Sequence, residues 1–271
     1  MAATEHTRTL KQLSTGAGVE RETLFCRKIS PHPLMPRVES RFPKGASMTT
    51  TAHVSPNSSS TARGDFTRAR LASALAVFPL GAWTCAHLWN NLAAYQGQDA
   101  WQAAVTHYPH PFAEALGGVI VLLPLAIHTS WGVARIVTSR PNNLRYGYYA
   151  NLKYLLQRLA AIGVLGFLGA HLWLAFLRPR LILGAPESFA DIAQEMHFHL
   201  PTLVVYLLGT LGVAYHLANG LQTFCMGWGV VSSRRGLRRL EGSVIAIFLL
   251  LLTMAWGAIY ALWAAGAYGP R

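Results

Sequence analysis

Apolar residues in this chain gather into five long stretches, over residues 71–92, 115–136, 159–177, 202–228 and 244–265, with polar residues collected between them. No strand-like alternation and no narrow amphipathic stripe organises these stretches, so they read as helices apolar all round. Each is long enough to cross a bilayer, whose hydrocarbon core of ~30 Å needs about 20 helical residues. Residues 1–64 are different: rich in Ser, Thr, Pro and Arg, with no sustained apolar period, they cannot bury enough surface to offset ordering entropy. The expected architecture is all-α, a five-helix transmembrane bundle over residues 65–271 preceded by a disordered N-terminal tail over residues 1–64. No apolar core precedes a small-residue cleavage site, so the tail does not read as a secretory signal. Met48 opens the run MTTTAHVSPNSSS and is a natural second start.

Composition supports a membrane protein: 52% of the 271 residues are hydrophobic and 13% charged, with a mean hydropathy of +0.29. The net charge of +12 would suggest nucleic acid if it were spread over a soluble surface. It is not spread. Eleven Lys and Arg precede the first apolar stretch, Arg140, Arg145, Lys153 and Arg158 follow the second, and Arg234, Arg235, Arg238 and Arg239 follow the fourth. The first connection has no basic residue, and the third has only Arg178 and Arg180 against Glu187, Asp191 and Glu195. The positive-inside rule then places the N-terminus in the cytoplasm and the C-terminus outside, and the charge reports topology rather than nucleic-acid binding. Cys26, Cys85 and Cys225 are far apart, which gives no zinc or disulfide framework and no thioether attachment motif.

Chemistry enters through histidine. Of eleven histidines, four fall inside apolar stretches, one per helix: His87, His128, His171 and His216. An ionisable group in hydrocarbon is costly enough to mark a functional site. His216 has Gly212 and Gly220 one turn to either side, a spacing that predicts a slot for a flat ligand. Chain direction alternates between spans, so His87 and His171 fall towards the outer surface and His128 and His216 towards the cytoplasm. His128 and His171 each precede a flanking arginine by seven residues, which leaves two layers separated by on the order of 10 Å. Each layer offers two imidazoles and no carboxylate or thiolate, the donor set of a bis-histidine haem b and not of zinc or a proton relay. Arg70, Arg135 and Arg158 are placed for propionates of the inner haem and Arg178 for those of the outer one. A haem-free scaffold or transporter whose histidines only pack is the competing reading, and an anchor of another dehydrogenase competes within electron transfer.

The segments AHLWNN, LPLAIHTSWGV, QRLAAIGVLGFLGAHLW and YHLANGLQTFCMGWG, one from each histidine-bearing helix, resemble the five-helix, two-haem cytochrome b subunit of succinate dehydrogenase and fumarate reductase. The resemblance runs from about Phe66 to the end of the fifth helix, and its most specific part is H-x-x-x-G followed by W-G. It implies that His87 and His171 ligate the distal haem iron and that His128 and His216 ligate the proximal one. It also implies an iron–sulphur subunit and a flavoprotein subunit as partners, a membrane quinone, with menaquinone favoured, as substrate, and a bacterial cytoplasmic membrane as location. Nothing in the chain could itself bind FAD or an iron–sulphur cluster. Two positions depart from the family pattern: Gln222 stands where many members carry Trp, and Ala214 where some fumarate-reducing members carry Glu. The second departure favours the succinate-oxidising direction. For the quinone head group, Glu114, His107 and His110 are the polar groups available on the outer side.

Overall fold

The structure, a computed structural model, describes residues 56–107, 111–138 and 147–268. The tail through residue 55, with Met48, lies outside the described residues, as do His110, Arg140 and Arg145. Five helices are long and apolar enough to cross a membrane: Phe66–Gln96, Glu114–Thr138, Tyr149–Leu183, Leu200–Gly227 and Arg234–Gly266, the first to fifth spans below. They contain the five apolar stretches except for Trp228 at the end of the fourth, and overrun most of their ends. The helix that becomes the first span begins at Pro56, inside the segment expected to be disordered.

Proline shapes two of the spans. Pro79 has no N–H to give to the helical ladder, and the chain accommodates it with a widened, π-helical turn over Ala76–Gly81. The third span widens in the same way at Trp173–Leu177 and again at Pro179–Leu183, so it continues past Arg178. Arg234, Arg235, Arg238 and Arg239, expected in a connection, instead form the first two turns of the fifth helix. Gly229, at φ 72°, turns the chain out of the fourth span, and the Ser233 hydroxyl caps the next helix by accepting from the Gly236 N–H at 3.0 Å. The fall in hydropathy marks where lipid ends, which is not where the helix ends.

The fourth span packs most extensively against the third and the fifth. Small residues permit the approach, because helices in lipid associate by close contact and not by a hydrophobic drive. A Cβ on Gly209 would run into the Phe167 ring of the third span, including its root. Gly209→Ala is therefore expected to cost about 1–3 kcal/mol by overpacking and to displace Phe167, which stacks on His171. Thermal denaturation of the purified protein checks this, with Gly163→Ala, whose added Cβ would meet nothing within 4 Å, as the unaffected control.

Most fully buried apolar side chains sit at one end of the bundle, where the first and third connections lie. The third connection contains an unexpected helix, Phe189–Phe198, capped by Ser188. Its Phe189, Ile192, Ala193 and Met196 pack with Trp101, Tyr206, Ile259 and Leu262 into a single cluster. Met196 is wholly buried. Mid-span side chains can face lipid, whereas apolar groups beyond it must be covered from water, and among the described residues a globular core forms at this end. Gln102 ties the two connections together: its Oε1 accepts from the Phe189 N–H at 2.6 Å, and its Nε2 donates to the Glu187 carbonyl at 3.5 Å.

Candidate functional site

The four intramembrane histidines meet in two pairs. His87 of the first span and His171 of the third have ring centres 5.9 Å apart with planes at 72°. His128 of the second and His216 of the fourth are 6.1 Å apart at 68°. Among the described residues no cluster of three or more His, Cys, Asp or Glu could hold a metal ion. Two metal–nitrogen bonds of roughly 2 Å, with about 1.2 Å from each nitrogen to its ring centre, put two axial imidazole centres roughly 6 Å apart. Both pairs fit a metal that takes two protein nitrogens on opposite sides of a plane.

Neighbours fix the rings. The Nδ1 atoms of His128, His171 and His216 face, respectively, the Ala72 carbonyl at 3.4 Å, the Tyr206 hydroxyl at 3.2 Å and the Gln157 side-chain amide at 3.1 Å. Each of these three rings is thus engaged through Nδ1, the pattern of an imidazole that binds a metal through Nε2. Aromatic rings one helical turn earlier back the other pair: Trp83 stacks on His87 with centroids 4.5 Å apart and Phe167 on His171 at 5.5 Å. Asn91 donates to the His87 carbonyl at 2.8 Å and reaches Nε2 only at 3.4 Å, the weaker contact.

One expectation needs correction. Gly212 and Gly220 do not frame an open slot: a Cβ on Gly212 would meet Val164, and one on Gly220 would meet Gln157, both at ordinary contact distance on the third span. That glycine face serves helix packing. The fourth span spaces the two layers. Tyr206, which touches His171, and His216 are ten residues apart on one helix, a rise of roughly 15 Å.

The expected propionate arginines separate by end. Arg70 donates to the Gly227 carbonyl at 3.3 Å and lies over the Phe66 and Trp228 rings, while its Nε is buried with no hydrogen-bond partner. Arg158 donates to the Arg135 carbonyl at 3.4 Å, and Arg135 lies over Trp131. These three gather at the His128–His216 end. Arg178 is exposed at the other end.

Near that other end a cleft of about 850 Å³ opens between the second and third spans, lined by Glu114, Gly118, Leu122, Phe176, Arg180 and Pro186 among others. Glu114 does not stand alone there: Arg180 Nε and Nη2 converge on its Oε1 at 2.9 and 2.6 Å. His107 is exposed and does not line the cleft. Glu187, next to Pro186, has its carboxyl pushed up to about 7, chiefly by burial and then by Asp191 and Glu195, against the lowering pull of Arg178 and Arg180. A carboxyl whose folded pKa is raised holds more protons folded than unfolded, so stability falls as pH rises from about 4.5 through about 7. Melting temperatures across that window should decline less steeply in Glu187→Gln.

Several contributors carried little sequence signal. Gln157, Tyr206 and Asn219 look like ordinary polar interruptions of an apolar helix, though Asn219, three residues after His216, shares its face. Arg180 was visible only as a loop cation. Gln222, the departure from the family pattern, accepts from Lys153 Nζ at 2.6 Å, and Lys153 also reaches Glu241 at 3.3 Å, which links the third, fourth and fifth spans.

Comparison with known proteins identifies the family. The family profile described as succinate dehydrogenase/fumarate reductase transmembrane subunit matches residues 138–255. The succinate dehydrogenase cytochrome b558 subunit of Bacillus subtilis (strain 168) is 32% identical over 194 residues, which cover 71% of this chain and 94% of that protein. On that similarity, and with five spans of the expected order, the chain belongs to the succinate dehydrogenase/fumarate reductase transmembrane subunit family.

Proposed function

We propose that this chain is the two-haem b membrane anchor of a succinate dehydrogenase, passing electrons from an iron–sulphur subunit to a membrane quinone, with a flavoprotein subunit as the succinate-oxidising partner. The observation that carries the reading is the pairing of one imidazole from each of four spans at 5.9 and 6.1 Å. In this reading His87 and His171 hold the distal iron and His128 and His216 the proximal one. A bound b-type haem supplies one-electron redox chemistry at each pair. The protein's own part would be to orient the four imidazoles that hold it, through Trp83, Ala72, Tyr206 and Gln157, and to exclude water from them. Arg70, Arg135 and Arg158 neutralise the proximal propionates and Arg178 the distal ones; the buried, unpartnered Nε of Arg70 is suited to an anionic oxygen.

At the quinone end, Glu114 exchanges protons with the head group, held towards the cleft by Arg180. Menaquinone is the substrate proposed. Ala214, 2% exposed between packed helices, offers no carboxylate to a transmembrane proton path, which favours succinate oxidation over fumarate reduction. The working domain is the bundle of residues 65–271, with the N-terminus and the arginine-rich start of the fifth helix on the cytoplasmic side of a bacterial membrane, facing the iron–sulphur subunit. The test is to purify the complex by a tag on this chain and add succinate. A co-purifying flavoprotein and a low-spin b-type band that appears on succinate addition support the reading. A colourless preparation without flavin defeats it.

A further inference from the structure

Beyond the four histidines, one polar side chain meets a proposed ligand at both its ring Nδ1 and its backbone carbonyl. Gln157 of the third span lies with its Nε2 3.1 Å from His216 Nδ1 and donates to the His216 carbonyl at 3.1 Å. The other end of the amide is held as well, because Asn219 Nδ2 donates to Gln157 Oε1 at 2.9 Å. Asn219 is buried, 7% exposed, and a buried amide keeps its geometry only if its partners keep theirs. A second rung fixes the same helix pair. Lys153, one turn before Gln157, donates to Gln222, one turn after Asn219, at 2.6 Å, so spans three and four cannot slide at this level without breaking both rungs.

We infer that Gln157, locked by Asn219, is the positioning residue of the proximal centre: it sets the rotation of the His216 ring and the electron density that this ring offers to iron. The inference rests on the two-haem reading. An imidazole bound through Nε2 carries its proton on Nδ1, and the group facing Nδ1 then acts as acceptor. With its oxygen turned to that proton the Gln157 amide gives up its donation to the His216 carbonyl, and Asn219, itself an amide, turns with it so that its oxygen accepts from Gln157 Nε2. With oxygen towards Nδ1, Gln157 draws on the proton and makes the ring a stronger donor to iron, which favours the oxidised state. At the distal centre the amide of Asn91 meets the Nε2 and the carbonyl of His87, not a ring Nδ1, and His171 faces the phenol of Tyr206 at 3.2 Å. A change at Gln157 should therefore be felt at one centre only.

The experiment uses the intact complex, with midpoint potentials taken by redox titration and the low-spin signals recorded by electron paramagnetic resonance. Gln157→Glu places a full negative charge at Nδ1–H and should shift the proximal centre towards oxidised by roughly tenfold, about 59 mV for one electron. Gln157→Leu removes the acceptor and should shift the same centre the other way by severalfold, with its resonance signature moved as the ring turns. The distal centre should keep its potential in both. Should Gln157→Leu fail to retain the proximal haem, the sign of the shift in Gln157→Glu decides. Retained haem with an unmoved proximal midpoint in Gln157→Glu, or equal shifts at both centres, overturns the inference and leaves the two-haem reading standing. Absence of haem from the wild-type complex would instead remove the reading beneath it.

Discussion

His128→Leu and His216→Leu are each expected to abolish the same low-spin b-type centre, while His87→Leu and His171→Leu abolish the other. The pairing makes this sharper than a loss-of-haem prediction. A metal held by two protein nitrogens cannot keep its low-spin state with one of them gone, and Leu, close to His in size and apolar, leaves no replacement donor. Ring centres 6.1 Å apart in one pair and 5.9 Å in the other require the four variants to fall into two groups of two. Any cross-grouping, such as His128→Leu and His171→Leu removing one centre between them, would contradict the arrangement. Electron delivery from succinate to quinone should vanish in the proximal pair of variants, and succinate oxidation with a soluble artificial acceptor should persist wherever the partner subunits remain attached. Difference spectra of the four variants, with total haem as the internal standard, supply the comparison.

The second large effect is expected at the cleft. Glu114→Gln should lower quinone reduction by about a hundredfold, the usual scale for losing a positioned proton exchanger, without changing either haem band. Arg180→Gln should act through the same carboxylate. Its guanidinium nitrogens reach Glu114 Oε1 at 2.9 and 2.6 Å while its ring-facing side lies over Phe176, so its removal frees Glu114 to turn away from the cleft. The expected signature is an altered pH profile and KM for quinone rather than the flat loss of Glu114→Gln. Steady-state assays with a soluble quinone analogue across pH separate the two. Unchanged quinone reduction in Glu114→Gln would move the proton exchanger elsewhere, with Glu187, beside the cleft-lining Pro186, the first alternative.

The parts of the molecule that could be read in the sequence are those that contrast with their surroundings. His87, His128, His171 and His216 stand out because an imidazole within twenty apolar residues has no cheap explanation, and span direction gave the depth that sorted them into the pairs seen here. Pro79, with no N–H to give the helical ladder, lies inside its widened turn for an equally local reason. What could not be read depends on which helix faces which. Gly212 and Gly220 share a face with His216 by helical arithmetic, but only the packed bundle shows that the third span lies against that face. Gln157, Asn219 and Tyr206 could not be told from polar residues at a membrane interface, since their role rests on a neighbour dozens of residues away. The helix Phe189–Phe198 was hidden by its length, and the early start of the fifth helix by its charge. In both, the serine caps Ser188 and Ser233 were the readable signal.

The central claim, two iron porphyrins held one above the other by paired imidazoles, is met most directly by measuring protohaem per chain in the purified complex together with a redox titration. The account predicts two haems per chain that titrate as separate one-electron steps, both low-spin. A complex that assembles with no protohaem, or with a single haem that survives substitution of either histidine pair, would contradict it.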